Sequence, residues 1–94
     1  MPSNQGIVSR EVIKPQVVKA LSKASGKKNL AESYRLEQDL GLNKDARSAL
    51  KKPLNDISHD KYEGYIIFST ECVKLERVEN AIDLVHRKAN RSEE

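Results

Sequence analysis

Tryptophan is absent from this chain, and phenylalanine, cysteine and methionine occur once each. Three tyrosines beside a single phenylalanine supply too little aromatic surface for an aromatic-rich sandwich, and such a composition suits a small helical bundle better. The lone cysteine, Cys72, excludes an internal disulfide and any zinc site built from clustered cysteines. It reads as a small buried hydrophobe in a reducing compartment. The two histidines, His59 and His86, have no spacing that joins them to Cys72 or to each other, and they are expected on the surface rather than at a metal. No run approaches the roughly 18 apolar residues of a membrane-spanning helix. Residues 1–10 also lack the apolar segment of a signal peptide. A membrane is therefore not an expected partner, and a cytoplasmic location is. Paired carboxylates, a Cys/His couple, metal-ligand spacings and a glycine-rich phosphate loop are missing too, so the chain is not expected to be an enzyme.

What is present fits one compact domain, since 94 residues can build one core and not two. Charged residues make up 33% and hydrophobic residues 37%, with a net charge of +3. The basic clusters Lys27-Lys28, Lys51-Lys52 and His86-Arg87-Lys88 are short and interleaved with acidic residues, the pattern of a solvated helix surface. A small basic helical nucleic-acid binder is the alternative that the charge suggests. The dispersion of the charge argues against it, and nucleic acid is not the expected partner.

Along the chain, residues 1–10 read as a flexible arm, residues 11–88 as a single helical domain and residues 89–94 as a polar tail. Ile13, Val17, Val18, Leu21 and Ala24 recur at steps of three and four and predict a first helix. Pro15 places its start near Glu11 to Lys14, so that the missing N–H falls in the first turn. Gly26 is the expected stop. Lys27 to Asn43 holds no sustained period and reads as a long ordered connection packed by Leu36, Leu40 and Leu42, with room for a short helical turn at Ala31 to Tyr34. A second helix is expected from Asn43 or Lys44, capped by Asn43, with Ala46, Leu50, Leu54 and Ile57 on one face. Pro53 is expected to end or kink it near Lys51 to Lys52. Ser58 to Gly64 reads as turn-like and Tyr65 to Phe68 as a buried connector. Ser69 and Thr70 are expected to cap a brief helix through Lys74, and Val78, Ala81, Ile82 and Val85 mark a final helix whose terminal charges complement its dipole.

Three segments in order carry a resemblance. Leu36-x-x-Asp39-Leu40-Gly41, the short helix ending Lys74-Leu75, and Val78-x-x-Ala81-Ile82-Asp83-x-Val85 resemble the corresponding segments of acyl carrier proteins. The resemblance spans most of residues 12–88 and implies an all-α fold, a four-helix acyl-carrier-protein-like bundle with a long first loop and a short third helix. The family places a serine three residues after the Asp-Leu-Gly glycine, where it takes a 4′-phosphopantetheine arm, and a leucine after it. Here Lys44 stands in the serine position and Asp45 in the next. A lysine ammonium cannot form the phosphodiester that a primary hydroxyl forms. Arg77 also stands where the family tends to place the Ser or Thr that caps its last helix, a loss worth about 1 kcal/mol.

The resemblance therefore implies a carrier-like domain that binds no cofactor and works as a protein-interaction module, linked to fatty-acid, polyketide or nonribosomal peptide enzymes. Lys44, Asp45, Arg47, Ser48 and Lys51 would form the exposed face of the second helix through which it meets them. Its basic balance departs from the acidic family and changes the partner surface it complements. The alternative within the resemblance is a working carrier modified at a displaced serine, Ser48, which would hold 4′-phosphopantetheine one helical turn further on.

Overall fold

A computed structural model describes residues 8–91. The architecture is all-α, and the expected arm and tail fall outside those residues over 1–7 and 92–94. Among the described residues there is no strand, only an isolated antiparallel bridge between Arg35 and Arg77. Helix α1 (Arg10–Ser25) packs on α5 (Val78–Ala89), and α2 (Lys44–Ala49) packs on α4 (Ser69–Val73). Between α2 and α4 lie α3 (Lys51–Asn55) and a π-helical segment, Asp56–Lys61, which packs against α5.

Helix α1 begins at Arg10, before the expected start, because Ser9 adopts an extended conformation and its hydroxyl accepts from the N–H of Val12 at 3.3 Å. Pro15 thus falls beyond the first turn. It is exposed, as is Glu11, whose carbonyl loses its intrahelical donor to the proline and can be met by water. Ile13, Val17 and Leu21 are fully buried at steps of four, while Val18 is half-buried and Ala24 lies on the surface. Gly26 stops the helix in the left-handed region at φ 75°. Val8 packs against the core and is gripped by Asn90, whose side chain accepts from Val8 N–H at 2.6 Å and donates to its carbonyl at 2.9 Å. The ordered unit therefore takes in Val8 to Arg10.

The connection from Lys27 to Asn43 is held down by buried Leu30, Leu36, Leu40 and Leu42. Its backbone also meets the start of α5. Leu36 N–H donates to Glu76 C=O at 2.8 Å, Val78 N–H to Tyr34 C=O at 3.0 Å, and Glu79 N–H to Glu32 C=O at 3.0 Å. The two donors at the head of α5 would otherwise be orphans, so the loop supplies what an Arg77 side chain cannot. Asn80 adds a further bond, accepting from Arg77 N–H at 2.9 Å. Arg10 ties the same junction by charge, with its guanidinium 2.9 Å from Glu32 and 2.6 Å from Asp83.

The middle of the chain departs most from expectation. The break falls at Leu50, one residue earlier than Lys51 to Lys52, and helix resumes at once. Pro53 is the third residue of α3, a first-turn position where no N–H donor is required. Ser58 to Gly64 is not a plain turn. Its first half belongs to the π-helical segment, where Ser58 is fully buried and Gly64 N–H donates to Ser58 C=O at 2.7 Å. Tyr65 to Phe68 is not a buried connector either: only Ile67 is buried, and Tyr65, Ile66 and Phe68 are exposed. Asn55 explains the difference. Its side-chain amide exchanges two bonds with the backbone of Ile67, each 2.8 Å, so the connector is pinned at one residue and its neighbours turn outward.

Ser69 opens α4 as a helical residue rather than as a cap. Phe68 holds the cap position, and the carboxylate of Glu71 reaches back to accept Phe68 N–H at 3.0 Å. Helix α5 runs four residues beyond Val85 to Ala89 and buries Val78, Ala81, Ile82, Leu84, Val85 and Ala89. Its basic last turn of His86, Arg87 and Lys88 sits at the negative end of the dipole.

Candidate functional site

The candidate site is the head of α2 and the turn that leads into it. Within Arg35 to Leu42 the backbone folds back on itself, with Asp39 and Leu40 N–H both donating to Arg35 C=O at 2.9 and 3.1 Å, Gly41 N–H to Glu37 C=O at 3.0 Å, and Leu42 N–H to Leu36 C=O at 2.8 Å. Each residue of Asp39-Leu40-Gly41 has a folding duty. Asp39 accepts Arg35 N–H at 2.7 Å, and this bond, with the Arg35 guanidinium, holds its carboxyl below the usual carboxylate range. Leu40 is buried, and Gly41 takes φ 73°, where a side chain would be strained.

Asn43 then caps α2 as expected, its side chain accepting from Ala46 N–H at 2.9 Å. Lys44 is the first helical residue and is exposed, with Asp45 exposed beside it. The ammonium of Lys44 thus stands at the positive end of the helix, a mildly unfavourable place for a cation, whereas Asp45 is favourable there. Residues 43–47 contain no hydroxyl, so the exposed head of α2 offers no alcohol for modification.

The structure sorts the five residues expected on this face. Lys44, Asp45 and Lys51 are exposed; Ser48 is half-buried. Arg47 is a correction. It turns inward, 13% exposed, and its guanidinium donates to Leu42 C=O at 2.9 Å and Val73 C=O at 3.3 Å while pairing with Glu37 at 3.1 Å. It fastens the lead-in turn to α2 and α4 and is not free to meet a partner. The partners of Arg47 lie as far as 26 residues away, so nothing in the local pattern of α2 marks it out. Lys52, next to Lys51 in α3, is exposed as well.

Cys72 is fully buried, and burial, with the nearby Glu71 charge, pushes its thiol up to about 11, far from a reactive thiolate. His59 is exposed with Nδ1 3.0 Å from Gly64 C=O, and His86 lies on α5. Burial works against the charge on Glu71, yet the Phe68 N–H and the Lys88 ammonium 3.0 Å away outweigh it and leave its pKa lowered. Lys88 is therefore engaged, and the His86-Arg87-Lys88 cluster is half-buried rather than an open basic stripe. Among the described residues no group of three or more His, Cys, Asp and Glu side chains could hold a metal, and no helix is long and apolar enough to cross a membrane.

Compared with family models, curated proteins and solved structures, the chain matches none.

Proposed function

We propose that this chain is an acyl-carrier-protein-like bundle that does not carry: a non-catalytic interaction module without a 4′-phosphopantetheine arm, meeting enzymes of fatty-acid, polyketide or nonribosomal peptide synthesis. One observation carries the reading. A turn with Asp39, Leu40 and Gly41 delivers the chain to a capped helix whose first residue is exposed, and that residue is Lys44. The resemblance supplies the family, and what supports it from geometry is an exposed residue opening a capped helix directly after a tight turn.

The surface through which the module acts is Lys44, Asp45 and Lys51, with Lys52 beside them and Ser48 at the margin. Three ammonium groups to one carboxylate favour an acidic patch on the partner, opposite in sign to the basic patches that carrier proteins meet.

Intact mass after incubation with coenzyme A and a promiscuous phosphopantetheinyl transferase tests the reading. The parent chain should remain unmodified, and Lys44→Ser should gain one arm. A shifted parent mass mapping to Ser48 would establish the displaced-serine carrier instead. An unmodified Lys44→Ser variant would sink the carrier-like frame. The double variant Lys44→Glu/Lys51→Glu should lose partners in a pull-down, and retention of every partner would remove this face from the reading.

A further inference from the structure

A groove of about 620 Å³ runs between α1 and the arm formed by α3 and the π-helical segment. Its apolar lining is Ala20 and Ala24 from α1 with Pro53 and Ile57 from the facing arm. Small residues on one wall leave room for bulky side chains from outside. Along α1 the lining runs from Gln16 to Ala24, about 12 Å at about 1.5 Å per residue, or a little over two helical turns. At the Gln16 end the groove is closed by a cross-link, the Gln16 amide donating to the Tyr62 hydroxyl at 2.7 Å.

The charge around the groove is unbalanced. Lys19 and Lys23, one turn apart, border it on α1 and Lys61 on the facing arm, against the single carboxylate of Asp56. None of the four has an ion-pair partner among the described residues. The walls are helices whose backbone groups are engaged within the helices themselves, so an extended strand would find no edge to pair with. What fits is a short helix with an apolar stripe to fill the floor and acidic flanks to meet the three lysines.

We propose that this groove is a docking site for an acidic amphipathic helix of a partner protein, anchored by apolar side chains over Ala20, Ala24, Pro53 and Ile57 and oriented by Lys19, Lys23 and Lys61. The site is separate from the Lys44 face and does not rest on the carrier-like reading. Its charge sets specificity and association rate, and its floor supplies the contact.

The test uses the full 94-residue chain and a blocked, fluorescein-labelled peptide of about 14 residues, with Leu at i, i+3, i+4 and i+7 and Glu elsewhere, read by fluorescence anisotropy. Binding in the micromolar range is expected, weakened about tenfold or more by Lys19→Glu/Lys23→Glu/Lys61→Glu and reduced by added salt. Ala24→Trp, which fills the floor and keeps every charge, should weaken binding comparably, so the proposal stays testable if the triple variant does not fold. Lys44→Glu/Lys51→Glu should leave binding unchanged, which separates this site from the α2 face. The proposal is overturned if the peptide fails to bind at about 1 mM, the weak limit of specific recognition. Equal binding of a scrambled peptide of the same composition, or unchanged binding by both groove variants, would overturn it too. Displacement of the peptide by anionic lipid vesicles would assign the groove to a membrane surface and likewise reject the proposal.

Discussion

Helix α5 and the arm from Lys44 to Lys61 are both helical and both contribute to the core, yet one is a single regular element and the other changes geometry twice. In α5 the buried positions recur without interruption from Val78 to Ala89, and no proline or buried polar side chain intervenes. In the arm, helix breaks at Leu50, restarts ahead of Pro53, and widens to π geometry where Ser58 is buried. Burial alone therefore does not make a helix regular. The irregular arm is also the one that borders the groove.

The largest effects should come from the core that the two regions share. Ile82→Ala in α5 and Leu54→Ala in α3 each remove a fully buried side chain, and each should cost about 2–5 kcal/mol in denaturant unfolding. A cost below about 1 kcal/mol for Leu54→Ala alone would show that the irregular arm is only loosely attached, and the comparison would have to be redrawn.

Gly64→Ala probes where the chain just after the arm meets α5. An added Cβ would lie 2.1 Å from Lys88 O and 2.6 Å from Ala89 Cα, both backbone atoms that cannot swing aside. A loss of about 1–3 kcal/mol or more is expected, with the C-terminal turn of α5 losing amide protection in hydrogen exchange. Unchanged stability would mean that the chain at Gly64 does not bear on α5.

Asn55→Ala should follow at about 1–3 kcal/mol, because it strips the N–H and C=O of buried Ile67 of their partners. If proteolysis between Tyr65 and Phe68 were no faster than in the parent, the clamp would not be what fixes the connector.

The smallest effect concerns the junction that steadies α5. Hydrogen bonds from Arg10 and Lys14 lower the Glu32 carboxyl from 4.5 to about 2, so the folded state favours its ionised form. Stability from this group is complete above the unfolded value of 4.5 and is lost as pH falls towards about 2. Glu32→Gln should therefore lower the thermal midpoint at pH 7, and the gap from the parent should close as pH falls through that window. A gap of constant size down to pH 2 would assign the effect to something other than charge.

Much of this structure was legible in the sequence where contacts are local or periodic. The spacing of four between Ile13, Val17 and Leu21 marks α1, and the three-four pattern of Val78, Ala81, Ile82 and Val85 marks α5. The leucines of the long connection announced their burial, and Asn43 its capping role. Legibility ended where a residue's environment is made by distant chain. Arg47 looks like any exposed helix arginine until Val73 and Glu37 are brought beside it. Tyr65 to Phe68 is apolar enough to suggest burial, and only the pairing of Ile67 with Asn55, 12 residues back, decides which side chain goes in. Pro53 predicts a break at Lys51 to Lys52, yet the break falls at Leu50, because a proline is as comfortable starting a helix as it is harmful inside one. At the candidate site, the turn residues and the exposure of Lys44, Asp45 and Lys51 followed from the sequence, while the groove bordered by Lys19, Lys23 and Lys61 had no sequence signal, since its two walls lie more than 25 residues apart.

The burial of Cys72 makes the molecule its own gauge. As the sole thiol, fully buried within α4, it can meet a labelling reagent only when the bundle opens around it. The rate of labelling under native conditions therefore clocks that opening directly, in unmodified protein and without an added probe. A slow, denaturant-sensitive rate would mean that α4 is released only with the whole core, and a fast one that it lifts away by itself.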